Sequence, residues 1–294
     1  MGVKLFAQGV MVTELSEGKT AARSAGLKAG DVILAVNGTA VESTEQLAEL
    51  LRRLGAGNDL TLTVRRGAKE LALNTALKAD KDGVCRLGAW VRDSMAGIGT
   101  MSFYDPETET FAGLGHGISD MDTGELMPLA HGAVMKAAVK AVNRGACGSP
   151  GELRGDFDLL HDFGTLCANT DCGIFGKVID PAVKASFGTA VPVASAGEIR
   201  PGKAAILANV AGEEVREYAI EIERVSGGDV PARNMLLRVT DPALLAATGG
   251  IVQGMSGSPI LQDGRLVGAV THVLIDDPTR GYGIFAENML AAAG

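Results

Sequence analysis

The sequence predicts a mainly β protein in two parts: an N-terminal α+β domain over residues 1–79, then a double β-barrel or sandwich over residues 84–294. Three observations lead there. A chain of 294 residues exceeds one ordinary domain. Its 40 glycines, with only 4% aromatic residues, imply many turns and short strands and a core of Val, Leu, Ile, Ala and Met. From Leu87 onward, short apolar runs alternate with turns such as Asp105-Pro106-Glu107-Thr108, and the first long helical pattern is the Ala-rich stretch from Lys136 to Val142.

Charge and composition exclude several functions. A net charge of −8 with no Lys/Arg stripe argues against nucleic acid and against acidic lipid surfaces. No apolar run reaches the roughly 18 residues that span a bilayer, and the first ten residues lack the features of a signal peptide. The abrupt, strand-like opening on Gly2-Val3-Lys4-Leu5 leads us to expect a missing upstream anchor. Cys85, Cys147, Cys167 and Cys172 lack CxxC spacing and nearby paired histidines, so no metal and no cofactor is expected. Cys167 and Cys172 read as a disulfide if the chain is exported, and equally as free thiols.

In the first domain, Val10-Met11-Val12 reads as a strand and Ala22-Arg23-Ser24-Ala25-Gly26-Leu27 as a short helix ending in Gly. Asp31 to Val36 reads as a strand closed by the Asn37-Gly38 turn. Ser43 with Gln46 makes a capping box, and Leu47, Leu50, Leu51 and Leu54 form one helix stripe. Leu60 to Val64 alternates as a strand. This order, centred on Ala25-Gly26-Leu27-Lys28-Ala29-Gly30-Asp31-Val32-Ile33 and Val36-Asn37-Gly38, resembles a bacterial PDZ domain of the kind attached to serine proteases. The resemblance implies partners that are C-terminal or extended peptides, added as a β-strand beside the long helix. It also makes Gly2, Val3, Lys4 and Leu5 the Gly-Φ-x-Φ loop that holds a terminal carboxylate; alternatively these residues are only the first strand. Ala79-Asp80-Lys81-Asp82-Gly83 reads as the linker to the second domain.

In the second domain, Gly254-Met255-Ser256-Gly257-Ser258-Pro259 lies between apolar runs and reads as a tight loop between buried strands. A serine flanked by glycines on such a loop suits a nucleophile, because the glycines let amide N–H groups converge beside the hydroxyl as an oxyanion hole. It needs a base, and the chain has four histidines. His116 in Gly113-Leu114-Gly115-His116-Gly117-Ile118 is exposed by its glycines or is a plain turn residue. His131 reads as structural, His161 stays unassigned, and His272 reads as lining the substrate cleft. Three acids compete to orient the base: Asp241, which equally suits a helix N-cap before Pro242, Asp162 and Asp171.

The serine loop resembles the nucleophile loop of chymotrypsin-like proteases, with Met255 and Ser258 departing from its pattern, and this selects Ser256 over Ser258. More closely, Gly249 to Ile260, Thr271-His272-Val273 through Asp277 to Gly283, and Gly113 to Asp120 look like the stage IV sporulation protein B (SpoIVB) peptidase family, in which a PDZ domain also precedes the peptidase. The resemblance implies a chymotrypsin-like double β-barrel, a catalytic Ser256, His116 and Asp241, and oxyanion donors on Gly254 and Ser256. It also implies cleavage of itself and of membrane-associated regulatory proteins that control an intramembrane protease, after export to the intermembrane space of the developing forespore. The alternatives are an HtrA-like quality-control protease and an inactive PDZ scaffold.

Overall fold

The computed structural model describes residues 1–79, 83–227 and 230–293. Asp80, Lys81 and Asp82 of the expected linker lie outside them. The chain divides into two compact units, Leu5–Met95 with Ser119–His131, and Met1–Lys4 with Ala96–Ile118 and Gly132–Gly294. The first unit thus reaches past the expected linker and takes in a later segment.

The first unit is α+β. Strands β1 (Gly2–Leu15), β2 (Val32–Val36), β3 (Thr39–Ala40), β4 (Asp59–Arg66) and β5 (Lys69–Ala76) run in the order β5-β4-β2-β1, with β3 off β2. Helix α1 (Ala21–Ala25) starts where the Thr20 side chain accepts from Arg23 N–H and stops at Gly26, which takes the left-handed conformation. The β2–β3 turn has φ 47° at Asn37 and 78° at Gly38, the geometry that Asn-Gly favours. Helix α2 (Thr44–Leu54) is capped by Ser43, which accepts from Gln46 N–H, while the Gln46 side chain accepts from Glu42 rather than from Ser43. Leu47 and Leu51 pack with Val10, Ile33, Leu60, Leu62 and Leu77 in one core, with Leu50 and Leu54 at its margin.

The second unit is almost all β. Strand β6 (Ala89–Ile98) leads into it, followed by β7 (Met101–Asp105), β8 (Thr110–Gly113), β9 (Leu129–Asn143), β10 (Glu152–Thr170), β11 (Gly173–Val178) and helix α3 (Pro181–Ser186). The stretch from Lys136 to Val142, read from sequence as helical, is part of β9. It pairs with β10 from Asn143↔Glu152 to Ala133↔Thr165, and this pairing overrides the helix preference of its alanines. Strands β9-β10-β11-β8-β7 form an open path.

The remaining strands close. These are β12 (Gly202–Ala208), β13 (Arg216–Val225), β14 (Met235–Val239), β15 (Pro259–Gln262), β16 (Arg265–Leu274) and β17 (Asp277–Phe285), in the order β12-β13-β14-β17-β16-β15. Closure leaves no free edge, and Ile206, Ile220, Ile222, Met235, Leu237, Ile260, Val267 and Val270 belong to the core it encloses. Of the two barrels expected, one is closed. Helix α4 (Pro242–Thr248) follows β14 and leads into the serine loop, and α5 (Ala286–Ala293) follows β17. The four cysteines carry free thiols, Cys167 exposed and Cys172 half-buried.

Candidate active site

Local backbone chemistry dictates the shape of the serine loop. Val252 and Met255 are buried, at 1% and 0% exposure, and anchor it in the barrel core. Met255 N–H donates to Val252 O and Ser258 N–H to Met255 O, while Gly257 N–H donates to Val270 O and Val270 N–H to Ser258 O at 2.9 Å, tying the loop to β16. Thr100 clamps the other side, its N–H donating to Ser256 O at 2.9 Å and its hydroxyl to Gly254 O at 3.1 Å. Gly254 and Gly257 have φ of +96° and +92°. A Cβ at Gly257 would lie 2.0 Å from Thr100 O and 2.5 Å from Leu114 N, so only glycine fits. Gly257→Ala is therefore expected to cost about 2–6 kcal/mol, backbone strain and overpacking together, read as a lowered denaturation midpoint.

Among the described residues, the N–H groups of Gly254 and Ser256 donate to no acceptor. Ser256 is half-buried and its Oγ donates to Thr271 O at 2.8 Å. Ser258 is fully buried, and its Oγ has no partner among the described residues. Thr271 is buried on β16, its own hydroxyl donating to Ala232 O at 2.6 Å.

His116 stands beyond the end of β8, on a turn in which Leu114 and Gly115 have φ of 66° and 68°. Leu114 N–H donates to Thr100 O, the carbonyl that excludes a side chain at Gly257, and a Cβ on Gly115 would meet the Thr271 methyl at 2.9 Å. The histidine turn and the serine loop thus share Thr100 and Thr271. The His116 Nδ1 lies 2.8 Å from Gly117 O, and its ring centroid lies 4.8 Å from that of His272, with the planes 37° apart. Burial lowers the pKa of His116, opposed by the Gly117 carbonyl. His272 is open to solvent on one side. Surrounding protein atoms, then the charges of His116 and Arg233, bring its pKa down to about 4. Both rings are neutral at pH 7.

Asp241 is elsewhere engaged. It is the N-cap of α4, with Oδ1 accepting from Ala243 and Leu244 N–H at 2.8 and 3.0 Å and Oδ2 from Ala219 N–H at 3.3 Å. Led by Leu244, these amides hold its carboxyl below the usual range. Asp162 is exposed on β10 and Asp171 in the turn between β10 and β11. Among the described residues no carboxylate bonds His116, because the three candidates face backbone amides or solvent. His131 stacks on Phe6 at 4.6 Å, and His161 pairs with Asp158 on the surface.

Gly2, Val3, Lys4 and Leu5, expected to be the carboxylate loop, form the start of β1, with Val3 and Leu5 buried at 5% and 0% exposure. The Gly-Φ-x-Φ pattern recurs at Gly9-Val10-Met11-Val12, where Gly9 has φ +90° and Val10 and Met11 pair with β2. Sequence reasoning also missed the carbonyls of Thr271 and Gly117, which no side-chain pattern marks.

A half-buried serine hydroxyl, a neutral imidazole beside the same strand and two unengaged amides are the groups that serine endopeptidase chemistry uses. The chain belongs to the SpoIVB peptidase S55 family, whose model matches residues 83–290, and a PDZ domain model matches residues 1–77. Among curated proteins, it is 40% identical over 73 residues to a probable periplasmic serine protease do/HhoA-like of Haemophilus influenzae, covering 25% of this chain and 16% of that one. It is 44% identical over 62 residues to a probable periplasmic serine endoprotease DegP-like of Halomonas elongata, covering 21% and 13%. The chain thus spans less than a fifth of either relative. Among solved structures, the active form of Rv3671c protease from M. tuberculosis aligns at 16% identity over 69% of this chain and 75% of that one, with a TM-score of 0.36. Among the described residues, no helix is long and apolar enough to cross a membrane, and no group of His, Cys, Asp or Glu is arranged to hold a metal ion.

Proposed function

We propose that this serine endopeptidase acts in sporulation signalling, cleaving itself and the regulatory protein partners of an intramembrane protease, with Ser256 as nucleophile and His116 as general base. The observation that carries the catalytic part is the pair of unengaged N–H groups, on Gly254 and Ser256, flanking a half-buried hydroxyl. Turning about χ1, the Ser256 Oγ leaves the Thr271 carbonyl and attacks the scissile carbon as His116 Nε2 takes its proton. The two amides hold the oxyanion, His116 then protonates the leaving amine, and water completes hydrolysis. Ser258 is too deeply buried to meet a substrate.

Family membership supports the sporulation role, and periplasmic relatives support export from the cytoplasm. The PDZ match supports recognition of peptides or protein tails by the first unit. The HtrA-like reading draws on the names of the two curated relatives. Purified protein is expected to cleave a small set of partners and itself, to be blocked by a fluorophosphonate and to ignore a metal chelator. Chelator-sensitive cleavage would sink the serine mechanism, and indiscriminate degradation of unfolded proteins would favour the quality-control role.

A further inference from the structure

We propose that Arg233 and Arg280, on the outer face of the closed barrel beside Ser256, form a subsite for a carboxylate side chain of the substrate, so that cleavage favours protein segments carrying Asp or Glu within about four residues of the scissile bond. The proposal rests on the peptidase reading above for the place of that bond.

The register of the barrel assembles the subsite. Ile222, Met235 and Leu237 belong to the core, which turns Arg224, Leu236 and Arg238 outward. Strand β14 meets β17 at Leu236↔Tyr282 and Arg238↔Arg280, so Tyr282 and Arg280 share that face. Tyr282 stands opposite Thr271 and His272, where the β16 register shifts between Val270↔Gly283 and Val273↔Gly281. With strands about 5 Å apart and a rise of about 3.3 Å per residue, Arg280 is one strand and about two residues from the Thr271 carbonyl that holds the Ser256 hydroxyl. An extended substrate covers that span in about two to four residues.

Arg233 is fixed in the same place by its neighbours. The Thr271 hydroxyl donates to Ala232 O at 2.6 Å, and Asn234 Oδ1 accepts from Phe285 N–H at 3.2 Å and from Asn288 Nδ2 at 2.9 Å. The Arg233 guanidinium lies 5.2 Å from the centre of the Tyr282 ring, and after burial and His116 its charge lowers the pKa of His272. An apolar side chain arriving at Tyr282 would meet this guanidinium, whereas a carboxylate would pair with it.

Charge favours the same occupant. Arg238 and Arg280 both donate to Glu223, Arg280 Nε at 2.8 Å. Burial alone would raise the pKa of Glu223, but the bonds from Arg280 and Arg238 outweigh it, so the carboxylate stays ionised and orients both guanidinium groups. Among the described residues no carboxylate pairs with Arg224 or Arg233. Four arginines thus share this face with Glu223 and the exposed Glu221, in a chain of net charge −8. They come from separate segments, which is why no basic stripe shows in the sequence. Screening over about 8 Å at physiological ionic strength lets a carboxylate on this face feel the arginines more than the acidic remainder of the chain.

The test begins with a proteome-derived peptide library cleaved by the full chain, each cut located by mass spectrometry. Asp and Glu are expected to be enriched about threefold at one or two positions within about four residues of the cut. A synthetic peptide with Glu at such a position should exceed its Gln counterpart about tenfold in kcat/KM, mainly through KM, and by only about twofold in about 1 M salt. Arg233→Gln and Arg280→Gln should each remove most of this preference, and Arg233→Glu should turn it towards Lys. Arg233 is exposed, so its variants should keep the parent thermal midpoint. Lys203→Gln, on β12 across the barrel, should leave the preference intact. Equal cleavage of the Glu and Gln peptides, or a preference that survives both arginine substitutions, would overturn the proposal. Binding separates it from the peptidase reading. Ser256→Ala protein is expected to bind a labelled octapeptide alternating Ala and Glu about tenfold more tightly than one alternating Ala and Gln, with the difference lost when Arg233→Gln is added. If the parent protein cleaves nothing while this discrimination holds, the peptidase reading fails and the acidic subsite stands. Without discrimination in either assay, the subsite is overturned.

Discussion

Ser256→Ala is expected to lower kcat on the order of 10⁶-fold, as loss of a nucleophile acting in concert with its base does. The fold should survive. The variant gives up one hydrogen bond, from Oγ to the Thr271 carbonyl, worth about 1 kcal/mol. A residual rate above the uncatalysed one should remain, because the Gly254 and Ser256 amides do not depend on the side chain. Steady-state cleavage of a partner protein and the appearance of self-cleavage fragments are the two readouts. Undiminished turnover in Ser256→Ala would remove Ser256 from the mechanism altogether.

His116→Ala is expected to lower kcat by a comparable factor, since nucleophile and base act as one unit and their losses do not add. The pH dependence of the parent protein follows from the same residue. The base works only when neutral, and burial lowers its pKa below 6.5, so kcat/KM should rise through an acid limb centred below pH 6.5 and stay level at neutral pH. Stability follows the same direction. A histidine whose folded pKa lies below its unfolded value binds fewer protons when folded, so stability is complete above about pH 6.5 and falls as the pH drops from there towards the folded pKa. For His272 that window runs from 6.5 to about 4. A limb centred above pH 7 would show that another group titrates.

The features most legible in the sequence were those written in local chemistry. Gly26 ending α1, Asn37-Gly38 turning β2 into β3, Ser43 capping α2 and the glycines around Ser256 each encode a backbone geometry within a few residues, and each is present. Features set by distant partners were not legible. The alanines of β9 prefer helix in isolation, and only the long pairing with β10 makes them strand. Asp241 before Pro242 carried both a cap and a catalytic reading, and the amides of Ala243, Leu244 and Ala219 engage it as a cap. Gly2 to Leu5 fits a Gly-Φ-x-Φ pattern and also starts β1, with Val3 and Leu5 buried on either side of an exposed Lys4. The groups that hold the serine and the imidazole, Thr271 O and Gly117 O, belong to the backbone and have no signature in residue type.

The central claim is that Ser256 is the nucleophile, and covalent labelling tests it most directly. After reaction of the folded protein with a fluorophosphonate, peptide mapping by mass spectrometry is expected to place one adduct on Ser256, with none in His116→Ala protein. An adduct on Ser258 or on a serine outside this loop, in protein that has lost its activity, would contradict the account.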